Sequence, residues 1–382
     1  MRSAVTYLKS WFGRFEAVSP RRPDPWLWLP AMALVMLGCL MVLNTTYFMS
    51  QEKTGDAFHF FKLHLLHLGV GLLMLGALSQ FSLRGLRRLV IPIFAVSVAM
   101  LILLYVPGLG IVRGGARRWL RLGPYVCEPV EFVKLAVVFF LAEFLSKRQD
   151  RIRLLKQGPV AASLVIAPIA LMVLKQPDLG NTVMIALVLF AMLYAAGAEW
   201  KHLASGGGIA LALLVIQTMA KSYRMRRVTA FLHPWETAQG AGFQLIQSFI
   251  ALGAGGGWGV GLGEGRQKMY FLPQAHTDFI FAVVGEEFGI LGGVVVVALF
   301  CIILFRGMKI AHDEPDPFAS LLAVGLTASL SFQALINMAV VIGLIPTKGL
   351  PLPFLSYGGT AIMMSMAALG ALLALGRRPA VR

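Results

Sequence analysis

Residues 261–289 read GLGEGRQKMYFLPQAHTDFIFAVVGEEFG. A glycine-rich polar stretch passes through His276, Thr277 and Asp278 into an apolar run that continues to Phe305, interrupted only by Glu286 and Glu287. A run of that length reads as a membrane helix. A helix starting near Thr277 puts Ala282, Gly285, Gly289 and Gly292 on roughly the same side as Asp278, a stripe of small residues that lets another helix come close. Asp278 then sits at the mouth of a packed seam, with Glu286 about 12 Å deeper at the helical rise per residue. Carboxylates at membrane depth cost roughly 2.5–3.5 kcal/mol or more each and are candidates for function.

The rest of the chain reads the same way. Of 382 residues, 58% are hydrophobic and 14% charged, against about 25% charged in soluble domains. The net charge of +16 comes without a basic tract or an aromatic reading surface, so nucleic acid is not the expected partner. Ten apolar runs are long enough to span, near 26–49, 58–80, 89–107, 130–146, 159–175, 180–198, 203–221, 279–305, 317–345 and 358–376. The expected fold is all-α: a polytopic integral membrane protein of about ten transmembrane helices, with a long external loop, 222–278, between helices 7 and 8. Residues 1–25 form a cytoplasmic N-terminal segment, 26–376 the membrane domain, and 377–382 a cytoplasmic tail. No signal peptide is expected. Cations such as Arg84, Arg87, Arg88, Lys147, Arg148 and Arg306 then fall on the cytoplasmic side, as topology favours. Cys39, Cys127 and Cys301 lie in or beside apolar segments, without metal spacing or an evident disulfide partner.

The cations placed against that bias are the informative ones. Arg113, Arg117, Arg118 and Arg121 fall in the external connection between spans three and four, and Lys221, Arg224, Arg226, Arg227, Arg266 and Lys268 in the long loop. They suit an anionic partner on the outer side; pairing with outer acids or lipid phosphates is the plainer alternative. The long loop exceeds a plain connector, and part of it should be an amphipathic or re-entrant segment. Its glycines carry no nucleotide-binding context.

Asp278 has two functional readings, general base or ligand of a divalent cation, and one bland one, a helix N-cap. His276 can tune that carboxylate or be an ordinary loop histidine. Glu286 and Glu287 face different ways and suit structural pairing as well as catalysis. Lys134 has Glu131 three residues away on one helical face, and Asp278 as a more distant candidate. Asp178 reads as a cap. Residues 345–354 carry three prolines and suit a rigid cavity rim or a simple turn.

Several segments together resemble the SEDS family of polytopic cell-wall polymerases. They are GARRWLRLGP at 115–124, EPVEFVK at 128–134, KQPDLGNT at 175–182, FQLIQSFIALGAGG at 243–256, FLPQAHTDFIFAVVGEEFG at 271–289 and GLIPTKGLPLPFLSYGGT at 343–360. The wording is nearer the family's FtsW branch than its RodA branch. The resemblance implies peptidoglycan glycan polymerisation from lipid II at the outer face of the cytoplasmic membrane, at the division site. It implies Asp278 as the catalytic aspartate, with Glu131, Lys134, Arg117, Arg118, His276, Gln247, Ser248, Lys348 and Ser356 as substrate-binding positions. It further implies a divalent cation, Mg or Mn, no nucleotide, and as partners a class B penicillin-binding protein transpeptidase, other divisome membrane proteins and membrane lipid. Glu128, Val130, His233, Thr237, Gln274 and Leu63-His64 depart from the family's pattern. A lipid II flippase and a non-catalytic scaffold for the transpeptidase are the alternatives.

Overall fold

The computed structural model describes residues 23–113, 115–123, 125–220 and 222–377. The N-terminal cations, Lys221 and the final residues of the tail lie outside the described residues. Each of the ten apolar runs coincides with a helix: α1 (Pro25–Thr54), α2 (His59–Ser79), α3 (Leu83–Leu103), α4 (Pro129–Ser146), α5 (Pro159–Lys175), α6 (Leu179–Ala195), α7 (Trp200–Met219), α10 (Ile280–Asp313), α11 (Pro317–Val341) and α12 (Gly359–Gly376). Seven of these are long and apolar enough to cross a membrane; α5 and α6 are shorter apolar helices. The starts follow local chemistry. Asp24, Ser82, Asp178 and Asp316 accept amide hydrogen bonds at the first turns of α1, α3, α6 and α11. Prolines begin α1, α4, α5 and α11, where a missing N–H costs nothing.

Helices α4, α11 and α12 are the most buried and form the centre of the bundle. Helix α7 is exposed along almost its whole apolar length, a surface suited to lipid. At one end Asp24 pairs with Arg306, and Arg87 bridges Glu143 at 2.8 Å and Asp316 at 3.6 Å. Asp278 stands two residues before α10, and Arg306 lies 26 residues along that helix from Ile280, at most about 40 Å at the helical rise. The carboxylate therefore lies at the opposite end of the bundle from residue 24.

Two features correct the expected layout. The third connection is a three-stranded antiparallel sheet, β1 (Gly110–Arg113), β2 (Ala116–Leu122) and β3 (Tyr125–Cys127), in the order β1-β2-β3. And the run 279–305 is not one straight helix starting at Thr277. It begins at Ile280, continues to Asp313, and breaks at Gly289, where φ is 66° and ψ −163°.

The long loop supplies what the break removes. It contains α8 (Ser222–Leu232) and α9 (Phe243–Gly255), and α9 packs against the first half of α10. Beyond α9, the amides of Val260 and Gly261 donate to the carbonyls of Glu286 and Glu287 at 3.0 and 3.1 Å. The amides of Ile290 and Leu291 donate to Gly256 and Gly257 at 2.9 and 3.3 Å. These four backbone groups at the kink find partners in the glycine-rich segment 256–261, as a buried kink requires. A Cβ at Gly255 would sit 1.9 Å from the Gly285 carbonyl oxygen, so the close approach depends on glycine. The expected small-residue seam is real at Gly285 and Gly289. It fails at Gly292, which faces Phe288 and Val284 of its own helix, because the break shifts the helical phase.

Candidate functional site

Asp278 lies in the turn that delivers the chain into α10. The amides of Thr277 and Phe279 donate to the Gln274 carbonyl at 3.1 and 3.2 Å. Gln274 takes the left-handed φ of 60°, uncommon for a residue with a Cβ. Two neighbouring segments clamp the turn. Ser356 Oγ donates to the Thr277 carbonyl at 2.6 Å and the Tyr357 amide to the His276 carbonyl at 2.8 Å. From α11, Asn337 Nδ2 donates both to the Asp278 carbonyl and to the Leu350 carbonyl, each at 2.7 Å.

The backbone is fixed, and the side chain is left over. Phe279 occupies the N-cap position of α10 with no side-chain cap, which removes the capping alternative for Asp278. Its carboxylate accepts no hydrogen bond from any described residue. Oδ2 is 3.2 Å from the place a Cβ would take at Gly349, so glycine lets the proline-rich loop close over it. Burial pushes the Asp278 carboxyl up to about 6, against the pull of Arg118 and Arg227 and with a push from Asp178.

The cations come from three separate elements. A bulge in the β1–β2 ladder leaves Arg118 without a cross-strand partner. Its guanidinium reaches the Pro177 carbonyl at 2.6 Å and the Asp178 carboxylate at 3.6 Å. Arg117 does not join it; its stem lies against Gly110. Arg227, on α8, donates to the Thr347 carbonyl at 3.4 Å. The Lys348 ammonium has no ion pair or hydrogen bond among the described residues, and burial lowers its pKa. Asp178 caps α6 through the Asn181 amide at 3.1 Å and also tethers Arg118. Glu128, partly buried at the start of α4, has its carboxyl pushed well up by burial and by Glu131 and Asp178.

Lys134 does not reach Asp278. Its Nζ is 2.6 Å from Glu131 Oε1 and 2.6 Å from Gln333 Oε1. Gln333 passes the connection on, donating to the Pro351 carbonyl at 2.8 Å, one residue from the Leu350 carbonyl that Asn337 holds. The buried ion pair thus braces the floor on which Asp278 rests. Glu286 and Glu287 are structural. Glu286 accepts from the Arg266 and Gln267 amides at 2.8 and 3.3 Å. Glu287 pairs with Lys268 at 2.7 Å and accepts from Asn44 Nδ2 at 2.6 Å.

The remaining expected positions divide. The His276 ring lies 5.8 Å from Tyr357, and burial drops its pKa to about 4, so it is uncharged at neutral pH. Ser248 is fully buried and donates to the Val341 carbonyl at 2.7 Å, tying α9 to α11. Gln247, half-buried, is its neighbour on α9. Sequence reasoning missed Gln333 and Asn337 as parts of this site and named Arg227 only among the outer cations suited to an anionic partner. Gln333 and Asn337 are four apart in an otherwise apolar run, a spacing that marks one polar stripe on a helix. Among the described residues no three His, Cys, Asp or Glu side chains group together. A divalent cation here would have Asp278 as its protein carboxylate and take its other oxygens from substrate phosphate and water, a donor set that suits magnesium.

Comparison with known proteins gives one consistent result. The family model FTSW_RODA_SPOVE, described as cell cycle protein, matches residues 25–379. The probable peptidoglycan glycosyltransferase FtsW of Geobacter sulfurreducens is 39% identical over 357 residues, covering 94% of this chain and 96% of that protein. Stage V sporulation protein E of Bacillus subtilis is 38% identical, covering 93% and 97%. Among solved structures, a chain from a peptidoglycan synthase complex that coordinates polymerization and crosslinking superposes with a TM-score of 0.75 at 32% identity, covering 93% of this chain and 98% of that one. The rod shape determining protein RodA of Thermus thermophilus gives 0.67 at 26% identity, covering 94% and 98%.

Proposed function

The chain belongs to the FtsW/RodA/SpoVE family of cell cycle proteins, and from that membership we propose that it is a peptidoglycan glycosyltransferase using Asp278 as its general base. The substrate is lipid II, the product a glycan strand. One observation carries the catalytic assignment: a carboxylate with no hydrogen-bond partner among the described residues, on a turn clamped from two sides and under two arginines.

Asp278 takes the proton from the sugar hydroxyl of the acceptor. The freed oxygen attacks the anomeric carbon of the donor, and the bond from that carbon to the polyprenyl pyrophosphate breaks with inversion. The leaving group carries off the bonding pair as negative charge. Arg118 and Arg227, which already act on Asp278, would stabilise it without rearrangement, and Lys348, next to the Gly349 that covers the carboxylate, would add to them; this is where preorganised charge acts most. A bound Mg or Mn ion would add to that neutralisation, with Asp278 as its protein ligand. His276 is uncharged at neutral pH and serves as wall rather than acid. The exposed apolar faces of the bundle leave the polyprenyl tails in lipid while the sugars meet the polar end.

The setting is the outer face of the cytoplasmic membrane during septal wall synthesis, with ten spans and both termini inside. The crosslinking partner is a class B penicillin-binding protein transpeptidase, in line with the synthase complex that the fold resembles. The test is Asp278→Asn in liposomes with lipid II and the partner present. Strand synthesis should fall by about 10²–10⁴-fold while the melting temperature holds. Polymer at wild-type rate would remove Asp278 from the mechanism.

A further inference from the structure

Beside the candidate active site, α8 forms one wall of an open groove of about 800 Å³, within the roughly 300–1,000 Å³ of small-molecule sites. The opposite wall is the series of turns over 235–241. The turns are closed by the Gly240 and Gly242 amides, which donate to the Thr237 carbonyl at 2.9 and 3.2 Å. A Cβ at Gly242 would lie 2.5 Å from the Pro234 carbonyl oxygen, so the turn is built tight. Met225, Arg226 and Thr229 line one side; Trp235, Glu236 and Gln239 line the other.

The side chains offered there are uncommitted. Trp235 is 67% exposed. The Arg226 and Gln239 side chains have no hydrogen bond or ion pair among the described residues. Among the described residues the Glu236 carboxylate meets only His233, at 3.6 Å. One flat apolar face beside a guanidinium, an amide and a carboxylate matches a pyranose: the ring face stacks on indole, while hydroxyl and acetamido edges take planar donors and acceptors. Charge narrows the occupant further. Arg226 and Glu236 balance, so the groove has no preference for an anion such as a lipid phosphate, and its polar walls do not suit a hydrocarbon chain. Location adds the last step. Arg227, the next residue on α8, contacts the Thr347 carbonyl and acts on Asp278, so the same helix turns one residue to the reaction and its neighbour to the groove.

We propose that this groove holds the glycan strand, a run of β-linked N-acetylated amino sugars, as it leaves the reacting carbons. The proposal rests on the polymerase reading above and adds a second saccharide site, outside the catalytic turn, that keeps the strand in register between additions.

The full-length protein in nanodiscs is titrated with chitotetraose, a soluble β-linked N-acetylglucosamine tetramer, and followed by saturation-transfer NMR. Saturable transfer is expected for wild type and for Asp278→Asn. Trp235→Ala and Gln239→Ala should each weaken it, Trp235→Ala by about tenfold. With lipid II as substrate, Trp235→Ala should shift the product to shorter strands. Chitotetraose transfer and strand length both unchanged in Trp235→Ala overturn the site and leave α8 as a helix resting on lipid headgroups. Chitotetraose binding with Asp278→Asn still polymerising would instead sink the catalytic assignment and spare the groove. Strands from a wild type that never takes up chitotetraose would do the reverse.

Discussion

Replacing Arg118 by glutamine should move the pH dependence of strand synthesis without unfolding the protein. Asp278 titrates at about 6 and is required unprotonated. About nine-tenths of the carboxyls are ionised at pH 7 and about one-tenth at pH 5, so wild-type initial rate should fall about tenfold across that interval. Arg118 is the foremost cation holding this value down. A guanidinium beside a carboxylate ordinarily lowers its pKa by roughly 1–3; taking the low end, Arg118→Gln moves the midpoint to about 7. The ionised fraction at pH 6.5 then drops from about three-quarters to about one-quarter, about a threefold loss that is regained by pH 8.5 and sits on top of a pH-independent drop from the lost leaving-group charge. Acid unfolding cannot imitate this. The folded carboxyl has a higher pKa than the ordinary 3.8, so between about pH 4 and 6 the folded state holds a proton that the unfolded state has released. Acid through that window favours the folded chain, and the stabilisation fades as pH rises through about 6. The assay is initial rate against pH, with melting temperatures at each point. A flat wild-type profile, or a midpoint that stays put or falls in Arg118→Gln, refutes the reasoning.

Glu128→Gln should keep activity, because a carboxyl held protonated by burial and by Glu131 resembles the amide; circular-dichroism melts should show the variant gaining on wild type as pH rises above the ordinary carboxylate range. Asn337→Leu leaves the Asp278 and Leu350 carbonyls without their shared donor, roughly 1–3 kcal/mol per buried acceptor, and strand synthesis should drop more than melting temperature does. Gly289→Ala forces a Cβ to within 2.4 Å of the Gly259 amide nitrogen at a φ of 66°, so thermal unfolding should show a loss of about 1–3 kcal/mol. Lys268→Met strands a fully buried Glu287 and should cost about 3–5 kcal/mol, most of it recovered by adding Glu287→Gln.

Much of this was written in the linear pattern. Apolar runs of spanning length give their helices regardless of context, because a backbone in lipid must bond to itself. The capping acids and the N1 prolines set the starts to within a few residues. What periodicity could not show is the break at Gly289. The run around it is apolar apart from Glu286 and Glu287, and the signal for the kink lies some 30 residues earlier, in the glycines that replace its lost hydrogen bonds. The three short strands at 110–127 were hidden for a similar reason: alternation over three to seven residues is too brief to separate from a loop. At the site, Asp278 was legible because an acid beside an apolar run is rare. Its neighbours were not, since Arg227, Asn337 and Gly349 meet it only through the packing of three different segments. The expected Lys134–Asp278 contact failed because a buried ammonium takes the partners nearest on its own and the facing helix.

The buried charges also weigh on whether such a bundle carries its lipid substrate across the membrane or works at one end. Intramembrane acids and lysines in carriers mark a path, and rocking of one half against the other must let them exchange partners. Here Lys134 is held by two short bonds, Glu287 by Lys268 and Asn44, and Glu286 by backbone amides of a loop sewn into a helix break. Freeing any of them exposes an uncompensated buried charge, at roughly 3–5 kcal/mol each. That cost resists alternation and favours a stiff frame. The frame's connections run toward one end: Glu131 to Lys134 to Gln333 to the 350–351 segment, and from there through Asn337 to the carbonyl of Asp278. A chain of bonds that fixes the backbone of one residue, and leaves its carboxylate free, is what a base needs when the moving parts are the substrates.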